Sequence, residues 1–331
     1  MTFAALALAA TTVAAQTYDP QLVARAKAEG RLVFYTGFSG NQLYAAIKKG
    51  FEDEFGVKVD MLIGRSSEIH ERLRVEVASG RPVADALIHS DATTQRMTDD
   101  GLLAKGAAFA GAANLAVPDF APGVAAPIYT SGYSLMVNTS LVKPGEEPAS
   151  WRDLLEPRWA GKILADDPRA LGAGHVFFSA SVEKFGADFH RALAAQKIVF
   201  GRDLGIDQMR VARGEFPLRY PQSLANMRDL RGLPLRFVIP KEGLVYVRAS
   251  VAIVNGAPRP AAARLFVEYI LSRATQNTLA GFGLLPVVSE DVAIADPETR
   301  DLVERARKSL MGGSRADNQD AMLALAREIY K

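Results

Sequence analysis

Two α/β lobes, each a mainly parallel sheet flanked by helices, with a helical tail: three observations predict this architecture. Along residues 31–89 the apolar spacing switches back and forth between two and four residues, the mark of strands alternating with helices. A length of 331 residues exceeds the ~100–200 of one ordinary domain. From Trp151 the texture changes to short strands and loops punctuated by Pro and Gly, so a second unit is expected there.

Each element has its own signal. A helix is expected over Gln21–Glu29, closed by Gly30, and the run Arg31–Thr36 (RLVFYT) reads as a buried strand. Leu43, Ile47, Phe51 and Phe55 then recur at the helical period. Val57, Val59, Met61 and Ile63 alternate with polar or small neighbours, which predicts a strand. Ile69, Leu73 and Val77 restore the helical spacing, and Ala84–His89 reads as a third strand. Short strand–helix–strand connections imply parallel pairing with helices packed on the sheet. Pro260–Ser272, Thr299–Leu310 and Asp317–Tyr330 are amphipathic and supply the helical tail.

Composition removes several classes of function. With 49% apolar and 23% charged residues the chain matches ordinary soluble proteins. Lys and Arg number 39 against 37 Asp and Glu, a net charge of +2 that lacks the concentrated positive charge of a nucleic-acid binder. Zero cysteines exclude a disulfide framework, a thiolate zinc site and a cysteine nucleophile. The uncharged, Ala-rich run Phe3–Ala15, ending in small residues before Gln16, reads as a signal peptide over residues 1–15, though without the usual positive start. It is shorter than the ~20 residues that span a bilayer, so a soluble mature product outside the cytoplasm is expected.

Ligands of parallel sheets sit beyond the carboxyl ends of the strands, where loops enter helix N-termini. Three loops occupy that position: Thr36–Asn41 with Thr36 and Ser39, Gly64–Ser67 with Arg65, Ser66 and Ser67, and Ser90–Thr93 with Ser90 and Asp91. Free N–H groups and the helix dipole favour an anion there. Ser and Asp are also common helix caps, and it is the convergence of three such loops on one edge that argues for a site. Catalytic motifs miss. The turn at Gly37–Asn41 lacks the second Gly of G-x-S-x-G, and Arg74 stands where a zinc helix starting at His70 needs its second His.

The segments LVFYTGFSGNQ, ADALIHSDATTQRMTDDGLL, IYTSGYSLMVNTSLV and, above all, SWRDLLEPRWAGKILADDPRALGAG (Ser150–Gly174) resemble the substrate-binding proteins of bacterial iron, thiamine, phosphonate and polyol ABC importers. PLRFVIPKEGLVYVRASVAIVNGAPRPAAARLFVEYILS and AGFGLLPV extend the likeness over nearly the whole mature chain. The resemblance implies the two-lobed type 2 periplasmic-binding fold with two crossover hinge strands, near Ala126–Ser131 and Val247–Ile253. Lobe one would then hold 16–125 plus 254–331 and lobe two 126–253. It also implies a periplasmic monomer that binds a small solute, hands it to an inner-membrane ABC permease, and needs neither cofactor nor nucleic acid.

Ferric-binding members typically pair two tyrosines with a His in the first turn and an acidic residue. Here Tyr220 is followed by Pro221, Ser39 stands in the His position, and only Asp91, Tyr129 and Tyr220 remain as candidate ferric ligands. A small carboxylate, phosphonate or phosphate ester fits the remaining groups better. Hydroxyls of Ser39, Ser66, Ser67, Thr130 and Ser131 and a guanidinium, Arg219 first and Arg65 or Arg248 after it, would donate to it. Amides near Gly172 and His175 would face the same cleft. An extracytoplasmic hydrolase using Ser39 is the alternative from another class.

Overall fold

The computed structural model describes residues 18–38, 41–64, 66–106, 109–117, 121–288, 292–313 and 318–331. The signal-peptide expectation and the candidates Ser39 and Arg65 lie outside the described residues.

The chain opens with α1 (Pro20–Glu29), where Asp19 accepts the Gln21 N–H at 2.9 Å and Gly30 ends the helix at φ 69°. There follow β1 (Arg31–Thr36), α2 (Asn41–Phe55), β2 (Lys58–Ile63), α3 (Ser66–Ala78), β3 (Ala86–Ser90) and α4 (Asp91–Asp99). The third strand starts later than its sequence suggests because the Asp85 carboxylate is turned to the Val33 N–H, at 2.7 Å, and to Arg259. Next come the long β4 (Ala125–Asn138), β5 (Ile163–Asp166), α5 (Ala173–Phe185), α6 (Ala187–Ala194), β6 (Val199–Gly201), α7 (Leu204–Ala212) and β7 (Leu218–Ser223). The remainder is β8 (Leu235–Val238), β9 (Leu244–Ile253), α8 (Pro260–Ile270), α9 (Arg273–Gly281), α10 (Pro297–Arg307), β10 (Leu310–Gly312) and α11 (Gln319–Ile329).

One curled sheet connects them in the order β2-β1-β3-β9-β4-β7-β5-β6, with β8 beside β4 and β10 beside β9. Strands β2, β1 and β3 are mutually parallel, as are β7, β5 and β6. Between these two sets lie the antiparallel neighbours β9 and β4, paired from Ala125–Ala252 to Tyr133–Val245. Lobe one buries Phe34, Tyr44, Phe51 and Phe266 on one sheet face and Val33, Leu73, Leu87 and Met97 on the other. Lobe two is built around Trp151, Phe177 and Tyr220. Trp151 is set by a capping box in which Ser150 accepts the Arg152 N–H and Asp153 accepts the Ser150 N–H, and its indole donates to the Gly243 carbonyl at 2.8 Å.

The tail, 254–331, expected wholly in lobe one, makes contacts on both sides of the hinge strands. Helix α8 packs on α1 and β1, whereas β10 pairs with the lobe-two end of β9 and α11 lies on α5 and α6. There Ala326 and Tyr330 pack with Phe178 and Phe200. A buried relay fastens the contact: the Ser181 hydroxyl meets His190 Nε2 and His190 Nδ1 meets the Tyr330 hydroxyl, both at 2.7 Å. No helix among the described residues is long and apolar enough to cross a membrane.

Candidate functional site

Strand β5 delivers two adjacent carboxylates to the edge of lobe two. Asp167 is buried; burial works against its charge, but hydrogen bonds from Arg169 and Arg202 outweigh that and hold its pKa at about 2. Asp166 is half-buried, and one oxygen accepts the Gly174 N–H at 2.6 Å, capping α5. Burial raises its pKa, with the Gly174 amide and the charge of Arg219 pulling the other way. The second residue of α5 must be glycine: a Cβ on Gly174 would lie 2.3 Å from the Asp166 carbonyl oxygen.

The floor is phenolic. The Thr36 hydroxyl donates to the Tyr44 hydroxyl at 3.1 Å and accepts the Phe38 N–H at 3.2 Å, and Tyr44 and Tyr129 share a hydrogen bond of 2.9 Å. Burial, then Tyr44, keeps Tyr129 protonated by raising its pKa far above the ordinary value. On β4, Tyr133 lies opposite Ser223 of β7 and the Ser131 and Ser223 hydroxyls are 3.2 Å apart. Burial and the nearby Asp166 charge raise Tyr133 as well. The half-buried Phe38 ring packs against the cores of both lobes, 6.0 Å from Tyr129 and 5.9 Å from His89.

Other candidates stand elsewhere. Ser90 caps α4 by accepting the Thr93 N–H at 3.2 Å, and Asp91 binds Arg248 Nε and the Ser250 hydroxyl, fastening α4 to β9. Ser66 is half-buried and Ser67 exposed at the start of α3. Thr130 is held in place by backbone bonds to Leu285 at 2.9 and 2.8 Å. His175 is buried within α5, 3.3 Å from the Ser179 hydroxyl, and burial lowers its pKa to about 4. Gly172 immediately precedes α5 beside Asp166.

Arg219 and Tyr220, two of the candidates, are buried. Arg219 is 0% exposed and donates through Nη1 to the Pro221 carbonyl and Gln222 Oε1, at 2.9 and 2.7 Å, while its buried Nε and Nη2 have no hydrogen-bond partner. Tyr220 points to the opposite sheet face, its ring 4.7 Å from Phe177 and 6.3 Å from Trp151. Asp91, Tyr129 and Tyr220 thus occupy three different surroundings and do not converge on one ion. Among the described residues no group of three or more His, Cys, Asp or Glu side chains could hold a metal. Sequence reasoning missed Asp166, Phe38 and Tyr44; the available signal for Asp166 was an acid as the last residue of a parallel strand.

A family model for bacterial extracellular solute-binding proteins matches residues 82–304. The "Putative 2-aminoethylphosphonate-binding periplasmic protein" of Salmonella typhimurium is 23% identical over 267 residues, 77% of each chain. The substrate-binding protein of an ABC transporter from Agrobacterium tumefaciens superposes with a TM-score of 0.77 at 19% identity, covering 91% of this chain and 94% of that one. Iron-bound HitA from Pseudomonas aeruginosa gives 0.71 at 20% identity, over 90% and 99% of the two chains. AfuA from Actinobacillus pleuropneumoniae, with exogenous fructose-6-phosphate bound, gives 0.70 at 21% identity, over 89% and 97%. These likenesses carry the fold, a two-lobed periplasmic-binding architecture.

Proposed function

The chain belongs to the bacterial extracellular solute-binding protein family, and on that premise we propose that it captures a small anionic solute for an ABC importer. The solute is a carboxylate, phosphonate or phosphate ester. The protein works in the periplasm as a monomer after losing residues 1–15, performs no chemistry, and hands its cargo to an inner-membrane permease. Lobe one comprises 16–125 and 254–308, lobe two 126–253 and 309–331, with β4 and β9 as hinges.

The observation that carries this reading is the polar lining where the lobes meet: the Ser131, Ser223 and Tyr133 hydroxyls beside the first turn of α5. Hydroxyls and helix N-terminal amides donate to an oxyanion. Phe38 touching both cores supports closure over the solute, since a ligand gripping both lobes shifts the equilibrium by its differential affinity for the closed form. The relatives' named ligands, a phosphonate and a sugar phosphate, are of the same class. Bare ferric iron is disfavoured by the burial of Tyr220 against Trp151 and Phe177.

Thermal melting with 2-aminoethylphosphonate, fructose-6-phosphate and a ferric chelate tests the reading. An anion present at about 100 times its Kd should stabilise the protein by about 2.7 kcal/mol. A tyrosinate-to-iron band in the visible spectrum at one equivalent of ferric chelate, with no anion bound, would overturn it.

A further inference from the structure

The turn from β5 into α5 is exposed at Ala170, Leu171 and Gly172, yet one side chain pins it. Arg169 Nε and Nη2 donate to the two oxygens of the buried Asp167, at 2.8 and 3.0 Å, and the Arg169 N–H adds a bond of 3.0 Å to the same carboxylate. The remaining nitrogen, Nη1, donates to the Tyr330 carbonyl at 3.0 Å, and Arg327 Nε returns a bond to the Arg169 carbonyl at 3.3 Å. The guanidinium also lies 5.2 Å from the centroid of the Phe200 ring on β6. One planar group thus joins the end of β5, the neighbouring strand and the last turn of the chain. A guanidinium can grip a carboxylate with two nitrogens and keep a third for a carbonyl; the compact ammonium of lysine cannot. Arg202 brings a second cation to Asp167, but to one oxygen only, and its side chain is 70% exposed.

We propose that Arg169 is a positioning residue for solute capture: it holds the β5–α5 turn in the shape that presents the first amides of α5 to the cleft, with the C-terminal end of the chain as its anchor. The inference rests on the anionic-solute reading, which makes those amides donors, and adds to it a residue that acts through the turn rather than by contact. The other bonds of the segment lie on the far side of the exposed residues, where Asp166 accepts the Gly174 N–H at 2.6 Å and Gly172 accepts the Val176 N–H at 3.1 Å. Arg169 is what ties the near side down. A turn fixed before the solute arrives does not have to be ordered by it, and affinity gains accordingly.

Arg169→Gln and Arg169→Lys test this beside Arg191→Gln, which removes a different contact of α11 with lobe two, the 3.2 Å pair with Glu328, and leaves the turn alone. Hydrogen exchange of the ligand-free proteins, read by NMR, should show the Gly174 and Val176 amides exchanging about tenfold faster or more in both Arg169 variants and at the wild-type rate in Arg191→Gln. Calorimetry with 2-aminoethylphosphonate and fructose-6-phosphate should show whichever binds the wild type weakened about tenfold or more by both Arg169 changes and unaffected by Arg191→Gln. Wild-type exchange and affinity in Arg169→Lys would reduce the role to one of charge and overturn the inference. So would faster exchange with unchanged affinity in either folded variant, which would make Arg169 structural only. Failure of the anionic reading shows instead in the wild type: if neither anion binds it and a ferric chelate does, that reading falls and the inference falls with it.

Discussion

Asp91 and Asp166 occupy corresponding places in the two lobes, each where a strand of a parallel set runs toward a helix N-terminus, yet they are held differently. Asp91 is bound by a guanidinium and a hydroxyl from β9. Asp166 has a single backbone amide at 2.6 Å. A carboxylate with two side-chain partners fastens one element to another, and its charge is spent on the fold. A carboxylate with one amide is placed by that amide, and its charge acts through space on the buried Arg219 behind it. Position at a strand end therefore does not tell how an acid is held; its partners do.

Acid should separate the two edges most strongly. His175 and His190 are buried in lobe two and His89 in lobe one; burial lowers their pKa values to about 4, 3 and 4. Each is neutral when folded and takes up a proton near ~6.5 when unfolded. Their contribution is thus complete above pH ~6.5 and drains away as pH falls toward the folded values, at up to ~1.4 kcal/mol per pH unit per histidine. Melting between pH 7 and 4, with His190→Phe as comparison, should show a loss of several kcal/mol, and hydrogen exchange should show lobe two opening first. Equal acid sensitivity of both lobes would break the contrast.

Gly174→Ala comes next. Its Cβ has nowhere to go but into the Asp166 backbone, and such overpacking costs ~1–3 kcal/mol, seen as a lower melting temperature together with weaker ligand binding. Arg248→Ala strips Asp91 of its cation and should destabilise by ~1.5–3 kcal/mol in denaturant titrations. Asp166→Asn should cost less than Arg248→Ala, because the cap survives and what is lost is the field of Asp166 on buried Arg219 rather than a direct ion pair. If Asp166→Asn costs as much as Arg248→Ala, the contrast between the two acids fails.

The first lobe was legible because its pattern is local. Val57, Val59, Met61 and Ile63 alternate because one face of β2 is covered, and α2 repeats Leu43, Ile47 and Phe51 because one stripe meets Phe266 and its neighbours. The second-lobe site was read less well, for a geometric reason. Arg219 and Tyr220 are consecutive in a strand, so their side chains point to opposite faces and cannot both line one cleft. Nor could the Asp166–Asp167 pair be resolved from sequence, since Arg202, which decides between them, arrives from another strand's end. The amphipathic stripe of α11 announced that it packs, but not upon which lobe.

The split tail bears on how the molecule is made. Lobe one lacks α8 until the chain has returned through β9, and lobe two lacks α11, with the Tyr330 hydroxyl that completes the His190 relay, until the final residues exist. Neither lobe is a contiguous stretch that a growing chain could finish and set aside. A premature stop just before Gln319 would therefore damage the lobe that is already mostly assembled, uncovering Phe178 and Phe200 far upstream in the sequence.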